Sequence, residues 1–528
     1  MPPKPIVSPA NRTQALCQEA VALQNLGKVE EARAIYKKVL LRDAKHFVAL
    51  HGLGILSVQE GQAELGAALL SRAVRSEPRV PDARNSLALA FLAQRRWGEA
   101  LASLDKAIDL RPDFAEAHHN RGLALRGMGR LEDAVAAFDR AVALRPAYAK
   151  ALVNRGSVLQ EMGNFPTALA SVDRAIALDP TVPEAHNNRG MALDALGRPA
   201  DAITAYDRAV ALAPRYADAF LNRAVARLTV GQWADGWRDY EWRDAVVERG
   251  VQALDASRSW RGEPDLNGRR LLLLTEQGLG DIIQFARYIP LVEAQGMAVD
   301  VAAPLSLHDL LRRISPTCRL FPTDGLPAEI DWHCPLMSLP LALGTRIETI
   351  PPPPSVSLVD EVRRAAFEVV LGPKTRPRVG IAWSGNPDHQ RDRQRSIPFG
   401  TLIPMLCEDV QWVAVQNQVR DSDAAAFHDF GKVSFHGEQL RDFTDTAALI
   451  DLLDLVIAVD TSVVHVAGSM GKSTWVLLPF RADWRWRLNR RDSPWYPSAR
   501  LFRQARAGDW AGVLTEVTAE LSAYFSPV

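Results

Sequence analysis

From Thr13 onward, apolar positions recur at helical spacing in pairs of amphipathic segments, and the pairs return every 34 residues. Each unit predicts two helices with a turn between them at Gly27, Gly61, Gly129, Gly163, Gly197 or Gly231, a row that only Arg95 interrupts. Glycine tolerates the backbone such a turn needs. Pro78, Pro112, Pro146, Pro180 and Pro214 follow the second helices, because proline cannot continue a helix. Ala32, Ala100, Ala134, Ala168 and Ala202 mark close helix approach, and Tyr36, Leu70, Leu104, Phe138, Val172 and Tyr206 form a bulky row. Units begin near Thr13, Phe47, Pro81, Ala115, Ala149, Pro183 and Ala217. The seventh loses the proline and gains Trp233, Trp237 and Trp242, as a terminal unit does when it docks on the next domain.

The period and its small, bulky and proline rows resemble the tetratricopeptide repeat (TPR), whose helix pairs stack into a superhelix with a polypeptide-binding concave face. Beyond the repeats the pattern changes to short apolar runs of buried-strand type. Leu271–Leu274, Val299–Ala302, Arg319–Phe321 and Trp332–Cys334 predict one α/β series; Val379–Trp383, Trp412–Gln416, Val433–Phe435, Leu455–Val459 and Thr474–Leu478 predict a second. The expected organisation is a disordered tail (1–12), a repeat array (13–250), a linker (251–268), a first Rossmann-like half (269–350), a connector stiffened by Pro351–Pro354 (351–374), and a second half (375–528) closed by a C-terminal helix.

Composition narrows the function classes. Lys plus Arg number 62 and Asp plus Glu 62, so the charge balance gives no support for nucleic acid or an anionic membrane as partner. No apolar run is long enough to predict a membrane span. Cys17, Cys318, Cys334 and Cys407 are scattered, as reduced thiols of a cytoplasmic protein would be. No carboxylate or histidine cluster predicts a metal site.

Three strand-end motifs carry candidate chemistry. Gln277-Gly278-Leu279-Gly280-Asp281 turns from a strand into a helix, where Asp281 serves either as helix cap or as general base. Asp460-Thr461-Ser462, with His465 one helical turn on, offers free N–H groups and hydroxyls to a phosphate, or else is a capped helix with a core histidine. Ser384-Gly385-Asn386 follows another strand, and Arg395 in the next loop is a candidate to neutralise a departing nucleotide. In the repeats, Asn120, Asn154, Asn188 and Asn222 recur within Asn-Arg-Gly or Asn-Arg-Ala. Their carboxamides suit either an extended peptide or a neighbouring helix; a similar asparagine ladder holds acceptor peptide in the eukaryotic O-GlcNAc transferases.

Together the three motifs resemble the ADP-heptose:lipopolysaccharide heptosyltransferases, metal-independent glycosyltransferases of GT-B fold. The resemblance implies Asp281 as base, and Asp460, Thr461, Ser462 and His465 as donor contacts, with Ser462 where that family has glycine. It adds Gly278, Gly280, Ser384, Gly385 and Asn386 to the donor loops, and places Gln416 where the family has an acidic ribose contact. The order of TPR array and GT-B fold is similar to bacterial TPR glycosyltransferases, flagellin O-glycosyltransferases among them, as are the segments around Trp484, Arg485, Trp486, Trp495 and Tyr496. Those aromatics form a sugar-stacking wall or a seat for the repeats. The expected function is transfer of sugar from a nucleotide-sugar to a Ser or Thr hydroxyl of a recruited protein, with no other cofactor. A non-catalytic adaptor and a transferase acting on a lipid-linked glycan are the competing readings.

Overall fold

The computed structural model describes residues 9–243, 254–263, 268–327, 329–389, 391–407 and 409–525. The chain divides into two compact units, Met1–Leu196 with Thr204–Pro214, and Gly197–Ile203 with Arg215–Val528. Most of the expected tail lies outside the described residues, but Pro9 already opens helix α1 (Pro9–Asn25), a position where proline's fixed φ is pre-organised for a helix.

The repeats are helix pairs from α1 to α14 (Trp233–Tyr240). The glycine row is left-handed throughout, with φ between 74° and 92°, and Arg95 adopts φ 56° to keep the same turn. The glycine and the arginine of the Asn-Arg-Gly triplet each have a packing role. A Cβ on Gly122, Gly156 or Gly190 would lie 2.7, 2.6 or 2.4 Å from Phe138, Val172 or Tyr206, so the bulky row seats on these glycines. The arginines reach back one repeat, Arg121 to Asp105 (2.8 Å), Arg155 to Asp139 (2.6 Å) and Arg189 to Asp173 (2.6 Å).

The seventh pair, α13 (Ala217–Val230) and α14, belongs to the second unit, so that unit begins within the repeats and not at residue 250. Trp233 stacks on Trp495 with centroids 5.5 Å apart, and Trp237 meets Trp484 edge-on at 5.2 Å and Phe285 at 6.2 Å. Such pairs contribute about 0.5–1.5 kcal/mol each beyond their buried area. The tryptophan-rich segment is therefore a seat for the last repeat pair.

Among the described residues, ten strands build two parallel sheets. β1 (Arg270–Leu274), β2 (Ala298–Ala302), β3 (Arg319–Phe321) and β4 (Trp332–Pro335) lie in the order β3-β2-β1-β4. β5 (Arg378–Ala382), β6 (Gln411–Ala414), β7 (Val433–Phe435), β8 (Leu455–Val459), β9 (Thr474–Leu478) and β10 (Ala499–Arg503) lie in the order β10-β9-β8-β5-β6-β7. Each sheet starts at a central strand, winds outward over two strands, then returns to the other side, which is doubly wound α/β topology. The central strands β5, β8 and β9 are buried along their whole length, as sheets covered on both faces require. β10 has no counterpart in the sequence reading, because Arg500 and Arg503 break its apolar run: Arg500 pairs with Glu520, and Arg503 donates to the Trp486 and Arg487 carbonyls.

The two expected linkers are structured where described. In 251–268, Ser259 bridges His333 beside β4 and Trp260 is buried; residues 251–253 and 264–267 lie outside the described residues. The connector 351–374 contains helix α16 (Glu361–Leu371), capped by the Asp360 carboxylate, which accepts from Val362 N and Arg363 N at 3.0 Å. Arg363 and Arg364 tie it to Asp442 (2.5 Å) and Asp451 (2.7 Å), which flank helix α17 (Phe443–Asp451) at its two ends.

Candidate functional site

A cleft of about 750 Å³ opens at the carboxyl ends of β1, β5, β8 and β9. The loops after β5 and β8 flank the point where the larger sheet reverses winding direction, the usual place for a ligand in doubly wound sheets. Asp281 enters from the first turn of α15 (Leu279–Phe285), and Asp460, Thr461, Ser462 and His465 from the start of α18 (Ser462–Ser469). Asn386 and Arg395 come from the loop after β5, and Asp483, Trp484 and Arg485 from the loop after β9.

The Asp281 carboxylate is held at both oxygens. Oδ2 accepts from Gly278 N at 2.9 Å, and Oδ1 pairs with the Arg485 guanidinium. The cap and base readings thus describe one side chain. Burial raises its pKa above the ordinary aspartate range, Arg485 opposes that shift, and the nearby Asp483 reinforces it. Asp483 also binds Arg485, at 2.9 Å. Across the cleft, burial raises Asp460 to about 6, and Asp483 adds to the shift. Its backbone carbonyl accepts from Arg395 Nη1 at 2.9 Å.

Thr461 caps α18 in extended conformation without a side-chain hydrogen bond, so the start of this helix presents the partial positive charge that attracts anions. His465 is buried, with Nδ1 2.9 Å from the Tyr496 hydroxyl and its ring 5.9 Å from Trp486. Burial and the charges of Arg485, Arg287 and Arg395 hold its pKa well below the ordinary range, so it is neutral at physiological pH. Gly280 faces this ring closely: a Cβ there would sit 2.6 Å from His465 Cδ2.

Three expected donor contacts lie behind the cleft wall. Gln416 is buried; its Oε1 accepts from Trp383 N (3.0 Å), and its Nε2 lies near Ser384 Oγ (3.3 Å) and the Gln418 carbonyl (2.6 Å). Gly385 donates to Ser396 Oγ at 3.2 Å, and its carbonyl accepts from Arg420 at 2.8 Å. Ser384, Gly385 and Gln416 therefore brace the loop that carries Asn386, and the cleft is lined by Asn386 and Arg395 instead. Gly278 lines it too, with its N–H already bonded to Asp281.

Comparison with known proteins locates the repeats. A family model described as tetratricopeptide repeat matches residues 51–113, 85–151, 119–183, 153–217 and 187–236, and a second model of the same description matches 13–46. The N-terminal region carries tetratricopeptide repeats. The chain is 29% identical over 289 residues to protein FlbA of Caulobacter vibrioides, a match covering 50% of this chain and 48% of FlbA. It thus spans about half the length of that curated relative. Among solved structures, YrrB, described as a TPR protein with an unusual peptide-binding site, is 25% identical over 32% of this chain and 88% of its own, with a TM-score of 0.29. PilF of Pseudomonas aeruginosa is 18% identical over 39% of this chain and 94% of its own, with a TM-score of 0.36.

Within the tetratricopeptide repeats, the asparagine row joins neighbouring units. Asn120 Nδ2 donates to Asn85 Oδ1 at 2.8 Å, Asn154 Nδ2 lies 2.8 Å from His119 Nε2, and Asn188 Nδ2 donates to Ser157 Oγ at 2.9 Å. Asn120 is buried, which removes it from any exposed peptide ladder. Asn154, Asn188 and Asn222 are half-buried.

The fold brings to the cleft residues that no sequence motif marks, Arg485 and Tyr240 among them. Arg485 stands in the sequence only as one member of a charged, aromatic segment, and Tyr240 carries no motif of its own. No motif marks them, because their partners Asp281 and Gln277 are distant in sequence.

Proposed function

We propose that this chain is a glycosyltransferase of GT-B type that moves sugar from a nucleotide-sugar to a Ser or Thr hydroxyl of a protein bound by its repeats. The observation that carries this reading is the pairing of two walls of one cleft: the Asp281 carboxylate on one, and the α18 N-terminus with Arg395 on the other. A cavity of about 750 Å³ is of the size that small-molecule ligands occupy. In this reading the diphosphate rests against Thr461 and Ser462 with Arg395 near its charge, and Asp281 takes the proton of the acceptor hydroxyl as the glycosidic bond forms. The nucleoside diphosphate leaves as an anion stabilised by the helix dipole. The repeats raise the local concentration of acceptor, and the half-buried Asn154 and Asn188 are the candidates to meet its backbone. Flagellin is the acceptor suggested by the TPR transferases that the sequence resembles.

Calorimetric titration with a panel of nucleotide-sugars, followed by intact mass spectrometry of cellular proteins with and without this chain, tests the proposal. Binding of one donor together with a sugar-sized mass increment supports it. Failure to bind any donor returns the chain to the adaptor class.

A further inference from the structure

Gln277 stands directly before the Gly278–Asp281 turn with φ 62°, a left-handed backbone that is strained for any residue with a side chain. Such strain persists only where the surroundings over-determine it. Here the surroundings are the last repeat helix. The Tyr240 hydroxyl lies 3.0 Å from Oε1 and 2.8 Å from Nε2 of the Gln277 carboxamide. Three residues on, the Arg243 guanidinium donates to Glu276 at 2.7 Å. Arg243 is buried and fixed from other sides by the Tyr240 carbonyl (3.0 Å), Glu241 (2.8 Å) and Ser338 Oγ (2.7 Å), and it rests over the Tyr240 ring at 5.1 Å.

We infer that Tyr240 and Arg243 are positioning residues for the Glu276–Asp281 loop: the end of the repeat array holds the strained turn that aims Asp281 into the cleft. The two residues preceding the Gly-Leu-Gly-Asp turn are thus gripped by Tyr240, at the end of α14, and by Arg243, just beyond it. The catalytic consequence rests on the reading of Asp281 as base, whereas the hold on the loop does not.

The test uses the full-length chain. Tyr240→Phe keeps the ring in its aromatic seat and removes only the hydroxyl; Arg243→Lys keeps the charge and removes the planar fork. Tyr524→Phe, which removes a hydroxyl bonded to Ser473 at 3.2 Å, serves as control. Hydrogen exchange read by mass spectrometry over residues 275–285 is expected to quicken about tenfold in Tyr240→Phe and Arg243→Lys, the effect of one lost hydrogen bond, and to stay unchanged in Tyr524→Phe. Turnover with the bound nucleotide-sugar should fall by about the same factor while the donor KM holds, which a general loss of stability would not produce. Exchange across the loop equal to wild type in both variants overturns the inference. If the wild-type chain binds no nucleotide-sugar, the glycosyl-transfer reading fails by itself, and the exchange measurement still decides whether the repeat helix holds the loop.

Discussion

Arg485 pairs with Asp281 across 204 residues of sequence, joining the loop after β9 of the larger sheet to helix α15 beside the smaller one. The pair sets the protonation state of the candidate base. Burial and Asp483 push the Asp281 pKa up and Arg485 pulls it down, so loss of Arg485 must raise it further.

Asp281→Asn is expected to lower sugar transfer by roughly 100-fold or more, the usual yield of general-base catalysis, with donor affinity retained in calorimetry. In Arg485→Gln the acid limb of the kcat/KM profile should move to higher pH, because the cation that lowers the Asp281 pKa is gone. A limb left in place would show that Asp281 is not the group titrating.

Asp460 makes a stability prediction with a definite sign. Its folded value of about 6 exceeds the ordinary 3.8, so the folded state binds this proton more tightly than the unfolded chain. Its contribution is fully present below pH 3.8 and is lost as pH rises to about 6. Asp460→Asn should therefore melt above wild type at pH 8 by the equivalent of about 1–3 kcal/mol, with the gap closing below pH 4. Thermal melts across this range check it.

Arg95 occupies a turn that glycine fills in six other repeats. Arg95→Gly removes left-handed strain and adds unfolded-state freedom, two terms of opposite sign. The strain term is the larger, and a net gain of about 0.5 kcal/mol is expected in urea unfolding of the repeat region.

Asn120→Ala deletes a partly buried bond between repeats and leaves Asn85 Oδ1 without that donor. A loss of about 1–2 kcal/mol is expected, readable in the same unfolding experiment. An unchanged midpoint would show that the Asn85 contact does not stabilise the array.

A chain beginning at Gly197 should fold, because it retains the whole second unit, the seventh repeat pair included. One beginning at residue 251 lacks Trp233 and Trp237, exposes Trp484 and Trp495, and is expected to aggregate. Light scattering separates the two.

The repeat period and nine of the ten strands were legible because each is a local pattern: Gly27 and its successors recur at a fixed interval, and Leu455–Val459 is a continuous apolar run. The motif residues Asp281, Asp460 and His465 were legible for the same reason, since each sits where a strand meets a helix. What depended on distant partners was not. Gln416 looks like a free strand-end amide until Trp383, Ser384 and Gln418 surround it. Asn120 looks like a ligand until Asn85 stands opposite. The helix Glu361–Leu371 was hidden behind Pro351–Pro354, whose stiffness does not extend past the capping Asp360.

The seat of the seventh repeat pair also sets an order in time. Helix pairs close through neighbours in sequence, so the repeats can form as they leave the ribosome. The strand β5 pairs with β8 across the span of β6 and β7, so the larger sheet must wait for most of the chain. Trp233 and Trp237, buried in the finished protein, are synthesised long before Trp484 and Trp495 arrive to cover them. During synthesis the last repeat pair is an open aromatic surface until its seat is made, and such exposed apolar surface is where a folding chain is prone to aggregate.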